Sequence, residues 1–178
     1  KNFFPQSIGK SAYEVSAGIV FAGYGITAPD YNYDDYKGID VKGKIVLLLA
    51  NYPDDSKKSR FNRTKFGEFR DPKYKVQNAL EHGAAGVLVM VETNRSFDLF
   101  IKSFGRFINR SNFSLKDVDE KEGLPFASIS KSISDQILIN SGWNTDKIKD
   151  TIDANCASRS FPIPNTSAKL KSDAFRGI

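Results

Sequence analysis

Between Val20 and Ala50 the chain passes through a fixed order of signals that few folds accept. An apolar run ends on Gly23-Tyr24-Gly25, a Pro- and Asp-rich stretch follows, and a Lys-Gly-Ile-Asp-Val-Lys-Gly-Lys turn feeds a second, wholly apolar run. Tyr13 to Ala22 reads as a strand, with Val15, Ala17, Ile19 and Phe21 on one face at period two. Ile45 to Ala50, bounded by Gly43 and Pro53, has the pattern of a strand buried on both faces. One helical turn is expected near Asp34-Asp35-Tyr36, and Asn51 to Pro72 is polar enough for an exposed loop. A helix is predicted from Pro72, with Val76, Ala79 and Leu80 at i, i+3, i+4 and Gly83 as its stop. Gly86 to Val91 is a further apolar strand, so strand, helix and strand favour a right-handed parallel crossover. Leu124 to Ser130 gives another strand, Ile133 to Asn140 and Asp146 to Ala154 two helices, and Ala168 to Leu170 a final strand. The fold class is α/β.

Composition limits what such a fold can do. At 178 residues, 40% hydrophobic and 26% charged, the chain suits one domain with a real core. No apolar run approaches the roughly 20 residues of a membrane span. The net charge of +5 is spread among acids, which argues against a nucleic-acid track. A single cysteine, Cys156, excludes an internal disulfide and a cysteine zinc site. Five Asn-x-Ser/Thr acceptors occur, at Asn62, Asn94, Asn109, Asn112 and Asn165. A chain that begins on Lys reads as a piece of a longer one.

Three candidate sites each meet a plainer explanation. Gly23-Tyr24-Gly25-Ile26-Thr27-Ala28 fits G-x-G-x-x-A after a strand, the dinucleotide cradle. That chemistry needs a helix N-terminus at the phosphate, whereas Pro29 follows at once and no helical period appears before Lys44. His82, the only histidine, sits where a helix C-terminus favours a cation. Asp30 with Asp34 and Asp35 could hold a hard cation but lacks the spacing of a calcium loop, so an exposed turn is expected.

Residues 96–110 carry a stronger signal. Phe97, Phe100, Ile101, Phe104, Phe107 and Ile108 share a helical face, with Lys102, Arg106 and Arg110 elsewhere on the surface. Such a face packs on its own sheet or docks on a partner, which makes Phe97, Phe100, Phe104 and Phe107 candidate docking residues.

Taken together, the segments Val20–Ile26, Ala28–Tyr31, Asp34–Val46 and Lys75–Val87, with the Leu124–Ser130 strand, resemble the protease-associated (PA) domain inserted in bacterial zinc-dependent aminopeptidases. Relatives include glutamate carboxypeptidases and the apical domain of transferrin receptors. The likeness covers about residues 12–142, and residues 1–178 are expected to form one such domain.

The resemblance implies a swivelling β/β/α architecture, a small barrel-like sheet flanked by short helices. It implies a non-catalytic module that roofs a peptidase cleft, with both ends leading into a peptidase domain of the same polypeptide. The parent would hold two zinc ions, and this segment no cofactor. Peptide or protein substrates would be its other partners, without nucleic acid or a transmembrane segment, in a secreted, periplasmic or cell-surface setting. In the carboxypeptidase branch an arginine before the helix meets a substrate carboxylate, and Arg70 occupies a comparable place. The alternative is a receptor-like binding module with no peptidase activity.

Overall fold

The computed structural model describes residues 2–7, 13–53, 67–91, 93, 95, 97–99, 101–103 and 123–172. The strands are β1 (Phe3–Ser7), β2 (Tyr13–Ala22), β3 (Thr27–Ala28), β4 (Tyr33–Asp34), β5 (Ile45–Leu49), β6 (Gly86–Met90), β7 (Pro125–Ile129) and β8 (Ser160–Ser172). The helices are α1 (Gly67–Arg70), α2 (Pro72–Glu81), α3 (Lys131–Leu138) and α4 (Thr145–Asn155). Six strands form one sheet in the order β1-β7-β6-β5-β2-β8, and β3 and β4 form a small ribbon.

The centre of the sheet is parallel, from Ile19 opposite Ile45, through Ile45 opposite Gly86, to Val87 opposite Phe126. The end strands β1 and β8 are antiparallel to their neighbours. All five residues of β5 and of β6 are buried, which is why both read as unbroken apolar runs. Phe21, Leu47 and Met90 face Leu138 of α3 and Ile148 and Ile152 of α4. Val20, Val46 and Val87 face Val76 and Ala79 of α2. The two faces therefore make two apolar layers with helices outside both.

Local chemistry fixes the ends of α2. The Asp71 side chain accepts from Lys73 N at 2.8 Å, and Pro72 fills the first turn where its missing N–H costs nothing. At the other end Gly83 N donates to Leu80 O at 2.8 Å and Ala84 N to Ala79 O at 3.0 Å, a Schellman stop.

Several expectations change. The helical turn falls at Pro29–Tyr31, as a 3-10 turn, rather than near Asp34-Asp35-Tyr36. The polar Asn51–Pro72 stretch contains α1, while residues 54–66 lie outside the described residues. The final strand runs from Ser160 to Ser172, because an end strand can carry Pro162 and Pro164 without losing ladder bonds on its outer edge. The sheet curls until a side chain on Gly86 would come within 3.0 Å of Leu170 Cδ1. Among the described residues its order nonetheless ends at β1 and β8, without a closing pair between them.

Candidate functional site

After β2 the chain turns through Gly23 and Gly25, both at positive φ. The amides of Tyr24 and Ile26 converge there on one carboxylate oxygen, Oδ2 of Asp35, at 2.9 and 3.1 Å. Backbone amides aimed at one point make an anion-binding concavity, here the alternate amides of Tyr24 and Ile26 while the Gly25 amide donates to Ala22 O, and the chain fills it with its own aspartate. Gly23 follows from that choice, and Gly25 from the packing of Leu48 beneath the loop. A Cβ on Gly23 would lie 2.1 Å from Asp35 Oδ1, and one on Gly25 would lie 2.7 Å from Leu48 Cδ1. The loop therefore serves an internal carboxylate rather than a dinucleotide phosphate.

Asp35 is fully buried, which corrects the expectation of an exposed acidic turn. Opposite it, the loop is gripped by α2. Lys75, 1% exposed, donates its ammonium to Tyr24 O, and Asn78 donates to Gly25 O at 2.9 Å and to Thr27 Oγ1 at 3.2 Å. Lys75 and Asn78 share the face that also buries Ala79, at i, i+3, i+4. Burial pushes the Asp35 carboxyl up to about 7, against the Ile26 amide, the Tyr33 and Ser158 hydroxyls and the charge of Lys75. Burial brings the Lys75 ammonium down to about 7, opposed by the Asp35 charge. Tyr33 and Tyr36 close the pocket, and burial first, then the Asp35 charge, holds both phenols far above their usual range.

Beside this clamp lies an open cleft of about 650 Å³ between the Thr27–Tyr31 segment and the helices α1 and α2. Its described lining includes Asp30, Tyr31, Glu68, Phe69 and Tyr74. Tyr74 ties the two walls, since its hydroxyl donates to Thr27 O at 3.2 Å and accepts from Thr27 N at 3.3 Å. Phe69 meets the Tyr74 ring edge-on, with centroids 4.9 Å apart.

Arg70 is exposed at the end of α1, directly after three residues, Gly67, Glu68 and Phe69, that line this cleft. His82 caps α2, stacks on Tyr36 at 4.1 Å and places Nε2 3.2 Å from Thr27 Oγ1, so its ring braces the same loop. Of the four docking phenylalanines only Phe97 is described. It is buried, 1% exposed, and so turns its ring into this chain rather than toward a partner. Residues 97–99 and 101–103 are helical, and Leu99 is the exposed apolar side chain there. Phe100, Phe104 and Phe107 lie outside the described residues.

Sequence reasoning placed Asp35 in an exposed turn and did not single out Lys75. The usable signal was a Gly-x-Gly loop with no helix behind it, whose amides still need an anion. An acid flanked by Tyr33 and Tyr36 a dozen residues on supplies it. Among the described residues no three His, Cys, Asp or Glu side chains are grouped as metal ligands, and no helix is long and apolar enough to cross a membrane.

No curated protein sequence matches the chain. Among solved structures, an aminopeptidase from Aneurinibacillus sp. strain AM-1 is similar at 20% identity and a TM-score of 0.41. That alignment covers 97% of this chain and 30% of the aminopeptidase, so the chain spans less than a third of that enzyme's length. The family pattern of the PA domain matches residues 11–137, more than half of the sequence and including the Gly23–Ile26 loop, Asp35 and all of α2. On that match, the chain belongs to the PA domain family.

Proposed function

We propose that this chain is a non-catalytic accessory domain of a larger zinc-dependent aminopeptidase, placed over the mouth of the catalytic cleft, where it governs which peptides enter. A peptidase domain of the same polypeptide is its first partner and peptide substrates are its second. The setting is secreted, periplasmic or cell-surface.

The observation that supports this reading is how the fold uses its polar groups. The loop that could have cradled a ligand phosphate is taken by Asp35, while the adjacent cleft stays open and has Arg70 at its side. In such a domain the outer cleft and Arg70 act by shape and charge. The planar guanidinium suits a substrate carboxylate, which it can hold through two parallel hydrogen bonds.

The test is Arg70→Ala in the full-length enzyme. KM for peptides with a free carboxylate should rise by about tenfold, the scale of one charged hydrogen bond, while turnover of a short aminoacyl anilide stays unchanged. An equal loss on both substrates, or anilide hydrolysis by residues 1–178 alone, would overturn the proposal.

A further inference from the structure

The cleft beside the clamp has a sign of its own. Each wall brings one carboxylate, Asp30 from the Thr27–Tyr31 segment and Glu68 from α1. Both are exposed, and neither makes an ion pair among the described residues. Each sits in a helical element of three or four residues, too short for dipole complementarity to account for the acid. Arg70 follows Phe69 and Lys73 precedes Tyr74, yet neither belongs to the described lining, which contains no base.

Aromatic rings share the space with these acids. Tyr31, Phe69 and Tyr74 all line it, the two tyrosines half-buried. A ring face attracts a cation, and more so where carboxylates stand beside it. The field at Tyr74 has the same sign. Burial first, helped by the charges of Glu68, Glu81 and Asp35, holds its phenol above the usual range, against the Thr27 backbone N–H. Three carboxylates therefore bear on this ring, and one of them is a wall of the cleft. A concave, aromatic space with two convergent acids suits an elongated cation.

We infer, on the reading that this cleft meets peptide substrates, that it takes the side chain of a lysine or arginine in one of the last two residues of the peptide. The apolar stem packs on the tyrosine rings and the charged head meets Asp30 and Glu68. The peptide's terminal carboxylate goes to Arg70, which directly follows the lining residues of α1. Cleft and arginine thus read opposite charges on one end of the substrate. A neutral aliphatic side chain would gain the ring contacts alone, and an acidic one would meet two like charges.

The experiment is KM of the full-length enzyme for alanine pentapeptides carrying Lys, norleucine or Glu at the last or last-but-one position. KM for the Lys peptide should lie about five- to tenfold below that of its norleucine twin, the scale of a cation–π contact added to an exposed ion pair. The Glu peptide should have the highest KM. Asp30→Asn combined with Glu68→Gln should bring the Lys and norleucine values together. Glu68 is exposed, so Glu68→Lys should fold and should move the preference toward the Glu peptide, a reversal that misfolding cannot imitate. Equal KM for Lys and norleucine, or a Lys preference that survives the loss of both acids, overturns the inference. Should Lys and norleucine stay equal while Arg70→Ala still raises KM for all three peptides, only the preference for cations falls. Should neither Arg70→Ala nor the acid substitutions move any KM, the placement of the cleft over substrate falls as well.

Discussion

The clamp under Gly23–Ile26 and the apolar groove between β7 and β8, lined by Leu88, Phe126, Ile129, Ile133 and Ile137, end the same sheet in opposite ways. In the clamp, Asp35 and Lys75 leave water altogether, and the Tyr24 and Ile26 amides and the Tyr24 carbonyl each meet a named partner. At the groove, aliphatic side chains line an open space and Phe3 stays largely in solvent. Buried charge fixes one geometry, because any other arrangement leaves an ion without a partner. Apolar surface tolerates many occupants, because its attraction is not directional. The chain is rigid where it shapes its cleft and permissive where its sheet stays unfinished.

The sharpest way to break this contrast is Asp35→Ala. It strands the Tyr24 and Ile26 amides and the Lys75 ammonium, and should cost about 3–5 kcal/mol in urea denaturation. A loss below about 1 kcal/mol would mean the clamp is no more specific than the groove.

A smaller effect comes from pH. Asp35 keeps its proton up to about 7 in the fold but loses it near 3.8 when unfolded, so the folded chain binds more protons and stability falls as pH rises between those values. Lys75 loses its proton near 7 in the fold and near 10.5 when unfolded, so stability climbs again across that window. The clamp's contribution should therefore pass through a minimum around pH 7, read from urea midpoints between pH 4 and 10. Lys75→Met should erase the alkaline arm and leave the acid arm. A flat profile in the parent chain would remove both buried ionisations.

The smallest effect belongs to the groove. Phe3→Ala should change stability by no more than about 0.5 kcal/mol, as exposed substitutions do. A larger loss would show that Phe3 packs as core and that the groove is closed in solution.

Elements set by local pattern were legible in the sequence. β5 and β6 announce themselves as apolar runs, and α2 carries both its Pro72 start and its Gly83 stop. β1 and most of β8 did not, since Pro5, Pro162 and Pro164 argue against strands until distant partners make them end strands. The site was harder still. Acid-rich turns are usually exposed, so Asp35 was hidden by its own residue type, and Lys75 by the same prejudice about lysine. Arg70 stands exposed beside the cleft, whereas the helical spacing that brought Phe97 into the docking set also describes a face turned inward. Periodicity identifies a face; only the tertiary neighbours say what covers it.

The fit between Gly23 and Asp35 also restricts how descendants of this chain can vary. With 2.1 Å between a would-be methyl and a carboxylate oxygen, a mutation that adds bulk to the loop is barred until the acid has gone. Losing the acid first leaves two amides and an ammonium without their anion. Neither order of steps is neutral, so the glycine and the aspartate are energetically coupled, and replacing one without strain requires replacing the other.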